Sequence, residues 1–164
     1  MDINTYDLIL NTESKLTHLQ LKESFTYPCD RFTNPRAIFE LMRRKFNLHT
    51  RADEFVYLAA FNNAMRLLGL FEISHGTVNA SLIDPRGVFL RALQIGASSI
   101  MLIHNHTSGR AIPSRDDMNT CKRIKKAGEL LGIQLSDFLI IGCDEYLSFR
   151  DEHNKKAYRG NHPR

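Results

Sequence analysis

The sequence has 164 residues, of which 43% are hydrophobic and 24% charged, as expected for a single globular domain. Its 22 Lys and Arg against 18 Asp and Glu leave a net charge of +4, which permits a nucleic-acid partner without requiring one. The 3 cysteines contain no CxxC pair, which argues against a disulfide framework or a zinc ribbon. No apolar run approaches the roughly 20 residues of a membrane-spanning helix, and the N-terminus lacks a signal-peptide pattern. We therefore expect a cytoplasmic protein with no membrane partner.

The first half of the chain predicts strands around one helix. Partial alternation predicts a strand within 18–27. Asn34-Pro35 is a typical helix start, and that helix is predicted to end at Arg43-Arg44-Lys45, where cations favour the helix dipole. The nearly continuous apolar run at 54–61 predicts a buried strand, followed after a turn by a second strand at 67–73.

The second half mixes further helices and strands. Asp84-Pro85 predicts another helix start, and 98–103 a short apolar strand. An amphipathic helix is predicted from Ser114 to about Leu131, closed by Gly132, with strands at 135–141 and 146–149. Because these elements do not follow strict βαβ alternation, we predict an α+β fold with a mixed β-sheet flanked by helices.

The residues best suited to chemistry follow the strand at 98–103. His104 and His106 are two apart, so their side chains should point to the same face of the strand. Such an imidazole pair can bind zinc at about 2.0–2.1 Å. Asp117 lies in the first turn of the next helix, where the loop could return its carboxylate to the pair. Two histidines and one carboxylate leave a fourth position for water, which is typical of catalytic zinc.

The same residues also have a purely structural interpretation. A His-x-His pair at a strand end is a weak signal by itself. Ser114 and Asp117 form a capping signature, with a serine at the helix start and an acid three residues later. Capping and metal binding are compatible, because both roles place these two side chains at the same helix end. The combination of strand, polar loop and helix start therefore favours a metal site.

The complete spacing matches a known signature. The pattern resembles the JAMM motif of the JAB/MPN metalloprotease superfamily: His104-x-His106 is followed after seven residues by Ser114, and Ser114 is followed after two residues by Asp117. The surroundings are similar to its bacterial RadC-like branch, although Thr107 replaces the usual proline and Phe138 a frequent histidine. Further similar segments are Gly76-Thr77-Val-Asn79-Ala80, Pro85-Arg86, Leu130–Ile133, Asp137–Gly142 and Tyr146-Leu-Ser148.

The resemblance also implies a division of the chain. It covers residues 34–150 and implies a JAB/MPN, cytidine-deaminase-like architecture. Residues 1–33 are expected to be an N-terminal strand segment of the same domain, with no helix-hairpin-helix-like region. Residues 151–164 are expected to form a polar basic tail.

The resemblance implies that the protein is a zinc-dependent hydrolase of peptide or isopeptide bonds. His104, His106 and Asp117 would hold Zn²⁺, with a water as the fourth ligand. Ser114 would donate a hydrogen bond to the developing oxyanion. The partner would be a peptide or protein substrate.

The family also uses an upstream glutamate to move the proton of that water. Glu54 and Glu72 are both candidates, and Glu54 resembles the family position better because it starts the apolar strand after the first helix. Its neighbour Asp53 is predicted to face the other side, in a turn or in solvent. Asn105, between the two histidines, is predicted to face away from them and to support the loop.

Two other functions are compatible with the sequence. The first is a DNA-associated repair or recombination accessory protein, suggested by an association of the family and by clusters of basic residues. Charge alone favours solvated helix surfaces over nucleic-acid binding. The second is a non-hydrolytic protein-interaction module that keeps the metal site. The basic clusters are Arg43-Arg44-Lys45, Lys122-Arg123-Ile-Lys125-Lys126 and Lys155-Lys156.

Overall fold

The described part of the chain folds into one β-sheet with helices on both faces. The computed structural model describes residues 1–76 and 83–151. In chain order, the elements of the described residues are β1 (Asp2–Leu10), β2 (Thr17–Thr26), α1 (Pro35–Phe46), a 3₁₀ turn (Leu48–Thr50), β3 (Phe55–Phe61), β4 (Leu67–His75), α2 (Pro85–Gln94), β5 (Ser99–Asn105), α3 (Arg115–Leu131), β6 (Gln134–Ile141) and β7 (Tyr146–Ser148).

Within the described residues, the sheet contains 7 strands in the order β2-β1-β4-β3-β5-β6-β7. Strand pairs β1–β4 and β5–β6 are parallel, and the other neighbouring pairs are antiparallel. The predicted α+β fold with a mixed sheet flanked by helices is therefore confirmed. β3 and β5 are neighbours near the middle of the sheet. Glu54 immediately precedes β3, and His104 and Asn105 are the last two residues of β5.

Strand β3 is buried on both faces because helices cover each of them. Phe55, Tyr57 and Phe61 pack in the core that also contains the apolar side of α1. Val56 and Leu58, which point the other way, pack in the core formed with α2 and α3. A strand covered on both sides has no solvent face to mark with polar residues. This explains the nearly continuous apolar run in the sequence.

Local capping signals determine where the helices begin and end. The side chain of Asn34 accepts a hydrogen bond from the N–H of Ala37 at the start of α1. Asp84 caps α2 in the same manner. Helix α3 ends at Gly132, whose φ of 69° lies in the left-handed region that favours glycine. These boundaries confirm the predicted helix starts and the predicted end of α3.

Strand β1 is not predicted from the sequence; it pairs with β2 along its whole length and meets β4 where Thr5 lies opposite Leu70. The ring of Tyr6 stacks on Phe71 with centroids 5.8 Å apart. It crosses β4 at Gly69, where a Cβ atom would lie only 2.8 Å from the Tyr6 ring. Glycine therefore allows β1 to approach β4, and the N-terminal residues join the main sheet.

Some predicted features lie outside the described residues. They are Thr77, Asn79 and Ala80 of the family-like segment, Lys155-Lys156, and the expected tail from residue 152 onward. Across the described ranges, the helices are too short or too polar to span a membrane.

Candidate metal centre

Strand β5 delivers two histidines to one place at the edge of the buried core. His104 lies within the sheet, between Val56 of β3 and Ile140 of β6. His106 follows the strand by one residue, and its N–H donates to the carbonyl of Ile141 at 3.0 Å. The two imidazole rings meet edge to face with centroids 5.0 Å apart. The sheet thus holds both rings close together before any ligand is added.

Backbone carbonyls orient both imidazole rings. Nδ1 of His104 lies 3.0 Å from the carbonyl oxygen of Phe55. Nδ1 of His106 lies 3.1 Å from the carbonyl oxygen of Arg110. Because a carbonyl oxygen can only accept, each Nδ1 carries a hydrogen and donates it. In the neutral rings, the lone pairs available to a metal therefore belong to Nε2, which is the usual arrangement in metal-binding histidines.

Asp117 completes the cluster from the first turn of α3. Its Oδ2 accepts hydrogen bonds from the N–H and the hydroxyl of Ser114, at 2.7 and 2.6 Å. The same oxygen lies 3.2 Å from Nε2 of His106. The N–H of Asp117 donates back to the Ser114 hydroxyl at 3.1 Å, which closes a capping box. One carboxylate oxygen of Asp117 thus accepts the hydrogen bonds of the helix cap and also contacts His106.

The second oxygen of Asp117 faces the cluster without a hydrogen bond. Oδ1 is buried and has no hydrogen-bond partner within residues 1–76 and 83–151. It lies 3.8 Å from Nε2 of His104. An unsatisfied buried carboxylate oxygen is costly, and a bound cation would satisfy it. The donor atoms of His104, His106 and Asp117 all lie within 4.8 Å of one another, so the group could hold a metal ion.

The electrostatics of this group follow from burial and from Asp117. Burial lowers the pKa of His104 below its usual value and favours a neutral ring. The hydrogen bond with Asp117 raises the pKa of His106. Burial opposes ionisation of Asp117, but hydrogen bonds from His106 and Ser114 outweigh it and lower the pKa of that carboxyl. The site therefore holds a carboxylate beside one neutral and one readily protonated imidazole.

The structure places the two candidate glutamates very differently. Oε2 of Glu54 lies 3.6 Å from Nε2 of His104, and the Glu54 side chain is 10% exposed. Its Oε1 lies 3.5 Å from the N–H of Thr107. Glu72 instead accepts a hydrogen bond from the hydroxyl of Tyr57 at 3.2 Å. The fold therefore brings Glu54, and not Glu72, to the histidine and aspartate cluster.

Asn105 has partners that the sequence does not predict. Its Oδ1 accepts from the N–H of Phe55 at 2.7 Å, and its Nδ2 donates to the carbonyl of Asp53 at 3.0 Å. The Asp53 carboxylate is exposed and lies 3.3 Å from Nε2 of His75. Asn105 thus holds the beginning of β3, whereas the sequence predicts support of the loop after β5.

The loop that joins His106 to α3 rests on the turn between β6 and β7. The N–H of Cys143 donates to the carbonyl of Gly109 at 2.9 Å. The N–H of Ala111 donates to the Glu145 carboxylate, also at 2.9 Å. The sequence predicts only that residues 142–145 connect two strands, because no local signal shows which loop packs on them. This turn helps to set where the loop returns Asp117.

The first basic cluster is engaged in ion pairs within the chain. Arg43-Arg44-Lys45 pairs with Asp144, Glu40 and Glu23, at 3.2, 3.2 and 2.7 Å respectively. Exposed pairs of this kind contribute little to stability, but they reduce the local excess of positive charge. They favour the structural interpretation of this cluster over a nucleic-acid surface.

Comparison with known proteins identifies the family. The profile of the RadC-like JAB domain matches residues 32–155. A UPF0758 protein of Geotalea uraniireducens is 38% identical over 122 residues, covering 74% of this chain and 53% of the relative. A UPF0758 protein of Pelobacter propionicus is 37% identical over 120 residues, covering 73% of this chain and 52% of the relative. The chain thus spans about half the length of these curated relatives. With the family profile matching most of its length, the chain belongs to the RadC-like JAB domain family.

Proposed function

We propose that this protein is a zinc-dependent hydrolase of peptide or isopeptide bonds. The observation that carries the proposal is the buried, unpartnered Oδ1 of Asp117, which shares one small space with the oriented rings of His104 and His106. Glu54 faces the same space, 3.6 Å from His104. A helix cap needs Ser114 and Asp117, but it does not need the other three residues.

The donor set favours zinc over the harder divalent cations. Two imidazole nitrogens and one carboxylate oxygen suit zinc, whereas magnesium and calcium prefer all-oxygen sites. Three protein ligands leave one coordination position for solvent, as in catalytic zinc sites. The backbone carbonyls that hold each Nδ1 reduce the cost of ordering the ligands. We therefore propose His104, His106 and Asp117 as the ligands of one zinc ion.

The residues around the ligands supply the remaining chemistry. When bound, zinc would lower the pKa of a coordinated water towards ~7 and polarise the scissile carbonyl. Glu54 is the proposed general base: it accepts a proton from the attacking water and delivers it to the leaving amine. Ser114 is the proposed donor to the carbonyl oxygen, for which its hydroxyl would turn from Asp117 towards the substrate.

Metal content is the first test of this proposal. Protein purified without chelator should contain about one zinc per chain, by the stoichiometry of such sites. His104→Ala and Asp117→Ala should each lose the metal while remaining folded. Asp116→Ala is the matched control, because it removes an equal charge from the same helix turn without touching the cluster. Parent protein that stays empty after incubation with zinc would contradict the proposal.

Hydrolysis of peptide and isopeptide libraries is the second test. Glu54→Gln should keep the zinc and lose roughly 100-fold or more in rate, the usual contribution of a general base. Glu72→Gln should retain both zinc and activity, because Glu72 bonds Tyr57 away from the cluster. Zinc-loaded protein that cleaves no amide would instead favour the non-hydrolytic interaction module.

A further inference from the structure

The side chain of Asn105 is tied to the residues on both sides of Glu54. Asn105 is 1% exposed and lies at the end of β5, between the two proposed histidine ligands. Its Oδ1 accepts the N–H of Phe55 at 2.7 Å, and its Nδ2 donates to the carbonyl of Asp53 at 3.0 Å. These two hydrogen bonds engage both the oxygen and the nitrogen of the side-chain amide. They hold the backbone immediately before and after Glu54.

The neighbouring ligand holds the same stretch of backbone. Nδ1 of His104 donates to the carbonyl of Phe55 at 3.0 Å, so consecutive residues of β5 bind both the N–H and the carbonyl of Phe55. The cross-strand register of β3 and β5 runs as far as Val56 opposite His104. Beyond that pair, backbone pairing between β3 and β5 ends, and the Asn105 side chain instead connects β5 to Phe55 and Asp53.

The position of Glu54 depends on this backbone. Its carboxylate approaches Nε2 of His104 at 3.6 Å and the N–H of Thr107 at 3.5 Å, both long for a hydrogen bond. Contacts of that length do not by themselves hold a side chain in one place. The two shorter bonds of Asn105 fix the main chain from which the Glu54 side chain extends.

Building on the proposed function, we propose that Asn105 is a positioning residue that holds Glu54 in place relative to the metal ligands. Asn105 does not touch the metal or the substrate. Its hydrogen bonds fix the start of β3, next to the proposed base, relative to the end of β5, where the two histidines lie. A displacement of about 1 Å at a catalytic group can cost on the order of 100-fold in rate.

The test compares five proteins: the parent, Glu54→Gln, Asn105→Ala, the double variant that carries both of these changes, and Asn62→Ala. Asn62 is the matched control because its Oδ1 accepts from the N–H groups of Ala64 and Arg66 at the opposite end of β3. Loss of the Asn62 side chain should lower thermal stability without changing the geometry of the proposed metal site. One sample of each protein is loaded with Co²⁺, whose visible absorption reports the metal's surroundings. A second sample is loaded with Zn²⁺, for crystal structures and for measurement of the zinc affinity.

We expect Asn105→Ala to bind Zn²⁺ within about threefold of the parent, because all three ligands remain. Its cobalt spectrum should shift towards that of Glu54→Gln, and the Glu54 carboxylate should move by more than about 1 Å in the zinc-loaded crystal. With an amide substrate, kcat should fall with little change in KM, and Asn105→Ala should add little to Glu54→Gln. Asn62→Ala should keep the parent spectrum, affinity and kcat.

Two outcomes would overturn the inference alone. In the first, Asn105→Ala keeps the parent spectrum and the parent position of Glu54. In the second, its effect adds fully to that of Glu54→Gln. If Glu54→Gln itself leaves the spectrum unchanged, the inference falls together with the proposed role of Glu54 as general base. If Asn105→Ala does not fold, the isosteric Asn105→Asp takes its place; it keeps the acceptor for Phe55 but sets a carboxylate oxygen against the carbonyl of Asp53, and the spectrum should shift in the same direction.

The proposed function and this inference fail in different ways. A parent protein that binds neither Zn²⁺ nor Co²⁺ overturns the proposed function and with it the role of Asn105. A parent that binds both and shows the Glu54 effect, with an Asn105 variant that behaves like Asn62→Ala, overturns the inference and leaves the hydrolase proposal standing.

Discussion

The backbone of Gly142 packs directly against the carbonyl of Gly109. A Cβ atom at position 142 would overlap that carbonyl oxygen and would lie 3.0 Å from the nitrogen of Ala111. Position 142 begins the turn between β6 and β7, and the loop above it runs from His106 to the start of α3. Close packing here therefore couples the edge of the sheet to the loop that spaces the proposed ligands.

Gly142→Ala should damage the metal site. The added methyl group would push the loop away, at a cost of about 1–3 kcal/mol in the free energy of unfolding and with weaker zinc binding. Gly87→Ala is the control, because a Cβ there has its nearest neighbour, the Arg91 side chain, at 3.6 Å. That helical position should gain about 0.5–1 kcal/mol. Thermal unfolding and zinc titration of both variants check this. Equal zinc affinity in both would refute the coupling.

Ser114→Ala should lower both stability and metal affinity. It removes the cap of α3, worth about 1 kcal/mol, together with the hydroxyl that holds Oδ2 of Asp117 at 2.6 Å. Asp84→Ala removes the corresponding cap of α2 and should lower stability by a similar amount with no change in zinc affinity. Chemical denaturation and chelator competition separate the two effects. A Ser114→Ala protein that binds zinc as tightly as the parent would show that the Ser114 hydroxyl does not orient Asp117.

Zinc affinity should rise with pH through the titration of His106. Its pKa is raised from 6.5, chiefly by the hydrogen bond with Asp117, and a protonated ring cannot bind a metal. His104, whose pKa is lowered by burial, is already neutral in that range. Apparent affinity should therefore increase up to a pH above 6.5 and then level off. Chelator competition from about pH 5.5 to 8.5 measures this. A plateau reached below pH 6.5 would contradict the assigned contact with Asp117.

Cysteine reactivity should distinguish the two cysteines of the second half of the chain. Cys143 is exposed, whereas burial, with a smaller contribution from Asp137, raises the pKa of Cys121 to about 11. At neutral pH the reactive thiolate of Cys121 is then on the order of one part in ten thousand. Thiol alkylation followed by mass spectrometry should label Cys143 first. Equally fast labelling of Cys121 would contradict the burial that raises the pKa of its thiol.

Local signals in the sequence were sufficient for the helices and for most of the strands. Asn34, Asp84 and Ser114 each begin a helix because their side chains cap free N–H groups within three residues along the chain. The apolar run of β3 predicts a strand buried on both faces. β1 was not predicted: it pairs with β2 along its length, and its place beside β4 depends on the Tyr6 ring fitting over Gly69, a contact between distant parts of the chain.

The same division applies to the site. The sequence alone determined that two histidines leave one strand and that an aspartate opens the next helix, since these are matters of spacing. Only the tertiary structure decided that Glu54 rather than Glu72 approaches His104, that Asn105 holds the start of β3, and that Gly142 supports the loop. The bond from Phe55 to Asn105 joins residues 50 positions apart, and strand register sets such contacts. Register depends on how the whole sheet packs, and no short stretch of sequence contains that information.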